Sequence, residues 1–200
     1  MQTRTLRIGV TMRVVQAHGY DEPRDALAQN WSRFIEASLP DAIWMPLPNL
    51  GAKRVLDYCK QWGINRLILT GGEDIGVSDI RDETEFALLD WAEANDIPTL
   101  GVCRGMQLMS VWAGSKLKFV GNHINVRHSL NGEILSEVNS FHQFAPSECP
   151  VSFKLLAKSE DGSIEGICHE KKPMEGWMWH PERELQIQII DIQRLQRLFK

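Results

Sequence analysis

The stretch Ile97-Pro-Thr-Leu-Gly-Val-Cys-Arg-Gly-Met-Gln107 decides the fold. Its first six residues are largely apolar and predict a buried strand, and Cys103 follows directly, before a helix predicted from Gly105. A sharp turn from strand to helix lifts a side chain above the strand ends. It also places that side chain near the unpaired N–H groups of the helix, which favour a thiolate. The stretch therefore predicts an α/β protein with Cys103 as its nucleophile.

A base for this thiol follows later in the chain, in the segment Trp179-His-Pro-Glu182. His180 would take the thiol proton and later protonate the leaving group. Glu182 would fix the tautomer of the imidazole and stabilise its protonated form. We therefore predict that Cys103, His180 and Glu182 form a catalytic triad.

A pair of glycines, Gly71-Gly72, follows the predicted strand 66–69. Glycine allows a backbone N–H group to approach a substrate closely. We predict an oxyanion hole formed by the backbone N–H groups of Gly72 and Arg104.

Each of these residue types alone has a more ordinary explanation. A free cysteine is usually a small buried apolar residue, a histidine near a strand end is usually structural, and paired glycines usually mark a turn. Here all of them follow predicted strands, and α/β sheets place their sites at the carboxyl ends of strands. The combination favours catalysis.

The rest of the chain alternates predicted strands and helices, as a doubly wound sheet requires. Strands are predicted at residues 6–10, 42–45 and 66–69, and helices at residues 27–35, 53–62, 83–95 and 105–112. Between residues 117 and 180, short strands with turn signals at Asn131-Gly132 and Asp161-Gly162 predict an antiparallel part. Residues 185–199 predict a closing helix, although residues 186–189 also alternate like a strand. We expect one domain over residues 1–200.

The motif Gly101-x-Cys103-x-Gly105-x-Gln107, the glycine pair and the Trp-His-Pro-Glu ending resemble the class I glutamine amidotransferase family over residues 5 to about 184. The resemblance implies a flavodoxin-like α/β fold, with a central, mostly parallel sheet, helices on both faces and an antiparallel C-terminal extension. Within that family, Arg104, Asp74 and the segment Arg81-Asp-Glu-Thr-Glu85 are similar to the γ-glutamyl hydrolase branch, as are residues 138–143.

Further stretches resemble the γ-glutamyl-CDP-amidate hydrolases, which act in making the phosphoramidate groups of bacterial surface polysaccharides. The matching stretches are Thr11-Met-Arg13, Asn122-His-Ile124 with His128, and residues 26–31, 139–145 and 178–184. γ-Glutamyl hydrolases for small amines carry a longer loop after the glycine pair, where this chain has only residues 75–80. The resemblance therefore favours γ-glutamyl-CDP-amidate as the leading substrate.

The resemblance also implies a reaction and a set of substrate contacts. Cys103 would attack a γ-glutamyl amide, and water would hydrolyse the resulting thioester to release glutamate. The residues that would hold the glutamyl group are Gln107, the backbone of Asn139, Ser140 and Phe141, and His142. Arg127 and His128 have two interpretations: contacts to a phosphorylated leaving group, or a solvated turn before Asn131-Gly132.

Other functions stay open on the sequence alone. One is the hydrolysis of a γ-glutamyl-γ-aminobutyrate-type amine. Another is a glutaminase subunit that passes ammonia to a synthase partner, against which Arg104 and Asp74 argue. A third is a binding module without activity, against which the complete triad argues.

Composition excludes some partners and favours others. The chain has 200 residues, 43% of them hydrophobic and 24% charged, and a net charge of −4, which argues against nucleic acid and anionic membranes. There is no apolar run long enough for a bilayer and no signal-peptide core near Met1, so we expect a cytoplasmic protein. The expected partner is a small γ-glutamyl compound, and the resemblance adds a nucleotide-linked γ-glutamyl compound as a candidate.

The cysteines and histidines predict neither a disulfide framework nor a metal site. The four cysteines have no short paired spacing. His123, His128 and His142 lie close in sequence, but their spacing fits no compact ligand pattern. We therefore expect no metal and no cofactor. We also expect Trp177 and Trp179 to face the same side of a strand and to belong to the core.

Overall fold

A computed structural model of the protein describes residues 5–200. The strands are β1 (Arg7–Thr11), β2 (Arg13–Gln16), β3 (Pro23–Ala26), β4 (Ile43–Leu47), β5 (Arg66–Leu69), β6 (Thr99–Val102), β7 (Leu117–Phe119), β8 (Ile124–Ser129), β9 (Asn131–Gly132), β10 (Glu137–Phe141), β11 (Phe144–Pro146), β12 (Phe153–Lys158), β13 (Ile164–His169) and β14 (Met174–Trp177). The helices are α1 (Asn30–Ser38), α2 (Ala52–Trp62), α3 (Asp79–Asn95), α4 (Arg104–Trp112) and α5 (Ile189–Phe199), with a 3-10 helix at Pro181–Arg183.

One eight-stranded sheet organises the fold, in the order β4-β1-β5-β6-β14-β13-β12-β9. The five strands from β4 to β14 are mutually parallel, and β13, β12 and β9 continue the sheet antiparallel. The predicted fold class is confirmed. Because β14 lies directly beside β6, the segment after β14 returns to the carboxyl end of β6, where Cys103 lies.

Helices cover both faces of this sheet because successive strand residues point to opposite sides. On one face, Ile68 of β5 packs with residues of α1 and α5. On the other, Leu67 and Leu69 pack with residues of α2, α3 and α4. Helix α1 buries Trp31, Phe34, Ile35 and Ser38, whose spacing places them on one stripe of a helix.

Several predicted elements are confirmed, and their bounds shift by a few residues. The strand at Arg66–Leu69 has the predicted ends, whereas α3 begins at Asp79 rather than at residue 83. Asp79 and Asp82 occupy the first turn of α3, where carboxylates stabilise the helix dipole. Residues 186–189 do not form a strand, and the closing helix begins at Ile189.

The two turn signals have different outcomes. Asp161-Gly162 connects β12 to β13, as predicted. Asn131-Gly132 is not a tight turn: it forms β9, whose two residues pair with Lys158 and Ala157 of β12. The prediction fails there because pairing with a distant strand overrides the local turn preference. The hairpin β2–β3 was not predicted, since its strands lack an alternating apolar pattern.

Among residues 5–200, no helix is long and apolar enough to cross a membrane.

Candidate active site

Cys103 lies where the chain turns from β6 into α4 within a single residue. Its backbone has φ 52° and ψ −105°, a conformation that non-glycine residues rarely adopt and that occurs mainly at functional sites. The amide of Cys103 donates a hydrogen bond of 2.7 Å to the carbonyl of Trp177 at the end of β14. The turn is therefore fixed to the strand that leads to His180.

Glycines make this junction possible because α4 packs very closely on the sheet. A Cβ atom added to Gly105 would overlap the carbonyl oxygen of Leu69 in β5. One added to Gly101 would lie 2.6 Å from the carbonyl carbon of Gly105. Both positions require glycine, and the helix is thereby held with its N-terminus at the sheet edge.

His180 and Glu182 follow β14 and enter the same edge of the sheet. The Nδ1 atom of His180 lies 2.7 Å from Oε1 of Glu182, and both side chains are almost completely buried. Asn139 holds the backbone of His180 from both sides. Its Nδ2 donates to the His180 carbonyl at 2.8 Å, and its Oδ1 accepts from the His180 amide at 3.0 Å.

The electrostatics favour a protonated imidazole at His180. Burial lowers the pKa of His180, but the charges of Glu182 and Cys103 and their hydrogen bonds to the ring outweigh burial and raise it to about 9. A histidine with these neighbours is suited to accept the proton of Cys103 and to hold it as an imidazolium.

The glycine pair lies against the triad. A Cβ atom added to Gly71 would lie 2.7 Å from Cε1 of His180 and 3.6 Å from Cβ of Cys103. Arg81 Nη2 donates to the carbonyl oxygens of Thr70 and Gly71, at 2.9 and 3.1 Å. In a planar trans peptide the C=O and the following N–H point in opposite directions. Arg81 therefore turns the N–H of Gly72 away from itself.

The side chain of Arg104 is almost completely buried, and its backbone N–H belongs to the predicted oxyanion hole. Its guanidinium forms buried ion pairs with Glu85 and Asp82. Glu85 also pairs with Arg81, at 3.2 Å. One ion network, Arg81-Glu85-Arg104-Asp82, thus links the two segments that carry the predicted oxyanion donors, and it explains why arginine follows the cysteine.

Three predicted substrate contacts have their side chains engaged within the protein. Nε2 of Gln107 donates to the carbonyl of Phe144 at 2.8 Å. Both polar groups of the Asn139 side chain hold His180, as described above. The hydroxyl of Ser140 donates to the carbonyl of His123 at 2.7 Å. Of these three residues, Asn139 lines the larger cleft; the predicted substrate contacts of all three stay predictions.

Phe141 and Arg127 line an open cleft of about 580 Å³ beside the triad. The ring of Phe141 meets the ring of His180 edge to face, with centroids 5.9 Å apart. Arg127 is paired with Glu137 at 2.6 Å and with Glu184 at 3.1 Å. Arg127 lies in β8 and not in a turn, but its side chain is 45% exposed, so both interpretations of its role stay open.

His128 and His142 lie elsewhere. Both are grouped with His123 and Glu165, with one potential ligand atom from each residue within 4.8 Å of the others. His142 is 4% exposed, and its Nδ1 faces the carbonyl of Phe144. Neither residue lines either of the two clefts beside the triad.

Sequence reasoning missed two arginines near the triad. Arg13 and Arg183 line a narrow pocket of about 30 Å³ together with Gly71, His180 and Glu182. Arg183 also lines the larger cleft, and its guanidinium lies 4.6 Å from the ring centre of Phe141. The signal for Arg183 was its place directly after Glu182. Arg13 lies in an unpredicted hairpin.

The fold and the arrangement of this site define an α/β protein of the glutamine amidotransferase type. The family model described as Glutamine amidotransferase class-I matches residues 52–192. The chain belongs to this family.

Relatives of this chain include proteins of two different activities. The γ-glutamyl-CDP-amidate hydrolase of Campylobacter jejuni is 31% identical over 191 residues, covering 92% of this chain and 94% of that protein. A glutamine-hydrolysing GMP synthase subunit of Thermococcus kodakarensis is 32% identical over 160 residues, covering 70% of this chain and 81% of that protein.

A solved structure supports the fold. The crystal structure of a putative GMP synthase subunit from Thermoplasma acidophilum has a TM-score of 0.73 at 17% identity, over 99% of this chain and 94% of that one.

Proposed function

We propose that this protein hydrolyses a γ-glutamyl amide bond with Cys103 as nucleophile. The observation that carries the proposal is the arrangement at one sheet edge of a strained Cys103, a buried His180–Glu182 pair and the Gly71-Gly72 turn. It supplies a nucleophile, a base, an orienting carboxylate and oxyanion donors, which acyl transfer needs.

The reaction has two halves. The sulfur of Cys103 forms a bond to the γ-carbonyl carbon while His180 takes the thiol proton, and the N–H groups of Gly72 and Arg104 stabilise the oxyanion. The C–N bond then breaks, and His180 returns its proton to the leaving nitrogen. Water, deprotonated by His180, attacks the thioester and releases glutamate and the free thiol.

The larger cleft supports a bulky leaving group. Its volume of about 580 Å³ lies within the range of ligand pockets. Phe141 offers a flat apolar face, and the Arg183 guanidinium above it suits a phosphate oxygen. With the similarity to the Campylobacter jejuni enzyme, these features make γ-glutamyl-CDP-amidate the leading substrate. The second product would be cytidine diphosphoramidate, used to modify surface polysaccharide.

The narrower pocket supports recognition of the glutamyl part. Arg13 lines it next to Gly71 and His180, and a guanidinium matches a carboxylate with two parallel hydrogen bonds. We assign Arg13 to the α-carboxylate of the glutamyl group.

The test is glutamate release, measured as kcat/KM on γ-glutamyl-CDP-amidate, γ-glutamyl-γ-aminobutyrate and glutamine, with Cys103→Ala as the blank. We expect the cytidine compound to be preferred by at least about 100-fold, equivalent to roughly 3 kcal/mol of binding to the nucleotide part. Preference for the aminobutyrate derivative would reassign the substrate, and equal rates with Cys103→Ala would refute the mechanism.

A glutaminase subunit is the second candidate, favoured by the similarity to GMP synthase subunits. It predicts weak release of glutamate from glutamine alone and strong stimulation by a synthase partner. One arginine variant distinguishes a γ-glutamyl-CDP-amidate hydrolase from a glutaminase subunit. Arg183→Ala should raise the KM for the cytidine compound about tenfold more than the KM for glutamine, whereas a glutaminase would show no such difference.

A further inference from the structure

Three of the six histidines converge with one glutamate outside the triad, and we call this group the His3Glu cluster: His123, His128, His142 and Glu165. The residues come from different parts of the antiparallel half. His123 precedes β8, His128 lies within β8, His142 follows β10 and Glu165 lies in β13. Glu165 is completely buried, and His123 and His142 are 2% and 4% exposed.

Two of the imidazoles have their outer nitrogens engaged, which leaves their inner nitrogens directed into the cluster. Nδ1 of His142 lies 3.1 Å from the carbonyl oxygen of Phe144 and must carry the proton to donate to it. Nε2 of His123 lies 2.8 Å from a carboxylate oxygen of Asp161. A carboxylate or carbonyl behind a histidine is the usual second contact of a metal-bound imidazole.

With those outer protons in place, the inner atoms are all electron-pair donors facing one another. Nδ1 of His123 lies 3.3 Å from Nε2 of His142, and each lies 3.4 Å from Oε1 of Glu165. Three such donors without a shared cation repel one another. A tetrahedral ion with bonds of about 2.1 Å requires donor separations of about 3.4 Å, which is the spacing of these three atoms.

The cluster also holds polar atoms without a hydrogen-bond partner. They are Nε2 of His128 and both carboxylate oxygens of Glu165. Among residues 5–200, no lysine or arginine pairs with Glu165; its only ion-pair neighbours there are His123 and His142. A buried carboxylate needs a compensating charge. A divalent cation would supply this charge, and it would also be the missing partner of Nε2 of His128.

We propose that His123, His128, His142 and Glu165 bind one divalent transition-metal ion, with Zn²⁺ as the best match. Three imidazole nitrogens and one carboxylate oxygen are ligands that Zn²⁺ accepts in four-coordinate tetrahedral geometry. Because the protein supplies all four ligands, the site is structural. It joins β8 and the end of β10 to β13.

The ion stabilises one wall of the active site. Strand β10 carries Asn139, which holds the backbone of His180, and Phe141, which lies against the His180 ring. The metal itself takes no part in the acyl transfer, so this inference stands or falls separately from the proposed function.

The first experiment measures metal content by mass spectrometry of protein purified without a histidine tag. We expect about one metal ion per chain in the wild type and in Cys103→Ala, and less than about a tenth of that in Glu165→Gln and His142→Ala. The matched control is His18→Ala, because His18 is exposed and lies outside the cluster. Equal metal content in Glu165→Gln and the wild type would overturn the proposal.

The second experiment needs no variant to fold. The wild-type chain is stripped with a chelator, and Zn²⁺ or Co²⁺ is added back. We expect Zn²⁺ to raise the Tm by about 5 to 10 °C and Co²⁺ to give the visible absorption bands of a tetrahedral site. A stripped chain that shows neither response would overturn the proposal, and the four side chains would then share protons instead of a metal.

Discussion

At the residue scale, the strained backbone of Cys103 and its position against His180 distinguish this thiol from the other three. Burial raises the pKa of Cys59 to about 12 and that of Cys168 to about 11, and it also raises the pKa of Cys149. Among residues 5–200, no hydrogen bond joins any of these three thiols to a histidine; Cys149 instead contacts the carbonyl of Phe153.

We therefore expect iodoacetamide to alkylate Cys103 at least about tenfold faster than any other cysteine at pH 7.5, because the thiolate is the reactive form. Peptide mass spectrometry over time gives the four rates. In His180→Ala, the rate at Cys103 should fall to that of Cys149. If Cys149 reacts as fast as Cys103 in the wild type, the thiol of Cys103 is not activated.

Arg81 is a positioning residue, since it touches the oxyanion turn and not the reacting atoms. Arg81→Lys keeps the charge but cannot hold the two carbonyls and the carboxylates of Glu73 and Glu85 at once. We expect kcat to fall about 10- to 100-fold with KM nearly unchanged, because a misdirected Gly72 N–H stabilises only the transition state less. Steady-state kinetics measures this split. Arg54→Lys, an exposed change in α2, is the control.

Whether the contact of a side chain could be predicted from the sequence depends on where its partner lies. The proximity of Cys103, His180 and Glu182 was predictable because each follows a strand that ends at the same edge of the sheet; their catalytic role stays a prediction. The contacts of Gln107 and Ser140 were not, because their partners are backbone carbonyls of Phe144, in β11, and of His123, just before β8, and the sequence does not reveal how these segments pair.

At the element scale, the packing of α4 on β5 depends on Gly105. We expect Gly105→Ala to lower the free energy of unfolding by about 1 to 3 kcal/mol or more, because the added methyl group overlaps the Leu69 carbonyl and α4 must move. Urea denaturation measures the loss. Gly121→Ala is the matched control, because a Cβ atom there meets nothing within 4 Å; equal losses in both variants would contradict the packing argument.

Some helices and strands have a recognisable pattern in their own sequence, and others do not. The helices and the strands β1, β4, β5 and β6 carry apolar patterns and were predicted within a few positions. The prediction was wrong for β14, which lies in the part predicted to be antiparallel but pairs parallel with β6. Strand β9 was not predicted, because Asn131-Gly132 is a turn signal in isolation and becomes a strand only by pairing with β12. The His3Glu cluster could not be predicted for the same reason. Glu165 lies beside the histidines only because of the register of β13, and the spacing of residues in the sequence does not reveal that register.

At the scale of the whole molecule, the pH dependence of stability contains a contribution from Asp191 in α5. Burial raises the pKa of Asp191 to about 7, against a hydrogen bond from Trp179 that lowers it. A carboxyl whose folded pKa exceeds its ordinary value of 3.8 stabilises the fold fully below pH 3.8. That contribution is lost as the pH rises to about 7.

We expect Asp191→Asn to remove this loss and to stabilise the protein at pH 8 by about 1 to 4 kcal/mol. Urea denaturation at pH 5 and pH 8 gives the difference for each protein. Asp41→Asn, an exposed change, should behave as the wild type. If the free energy of unfolding changes by the same amount between pH 5 and pH 8 in the wild type and in Asp191→Asn, the assignment to Asp191 is wrong.

The position of β14 has a consequence for how the protein is made. This strand lies in the interior of the sheet, between β6 and β13, yet it is among the last strands in the chain. Until β14 has been synthesised, β6 has one bare edge, which a nascent chain exposes to unwanted pairing. His180 also comes much later in the chain than Cys103, so a nascent chain that stops before β14 has the Cys103 thiol without its neighbouring imidazole. We therefore expect Cys103 to meet His180 only after β14 has been synthesised and has paired with β6.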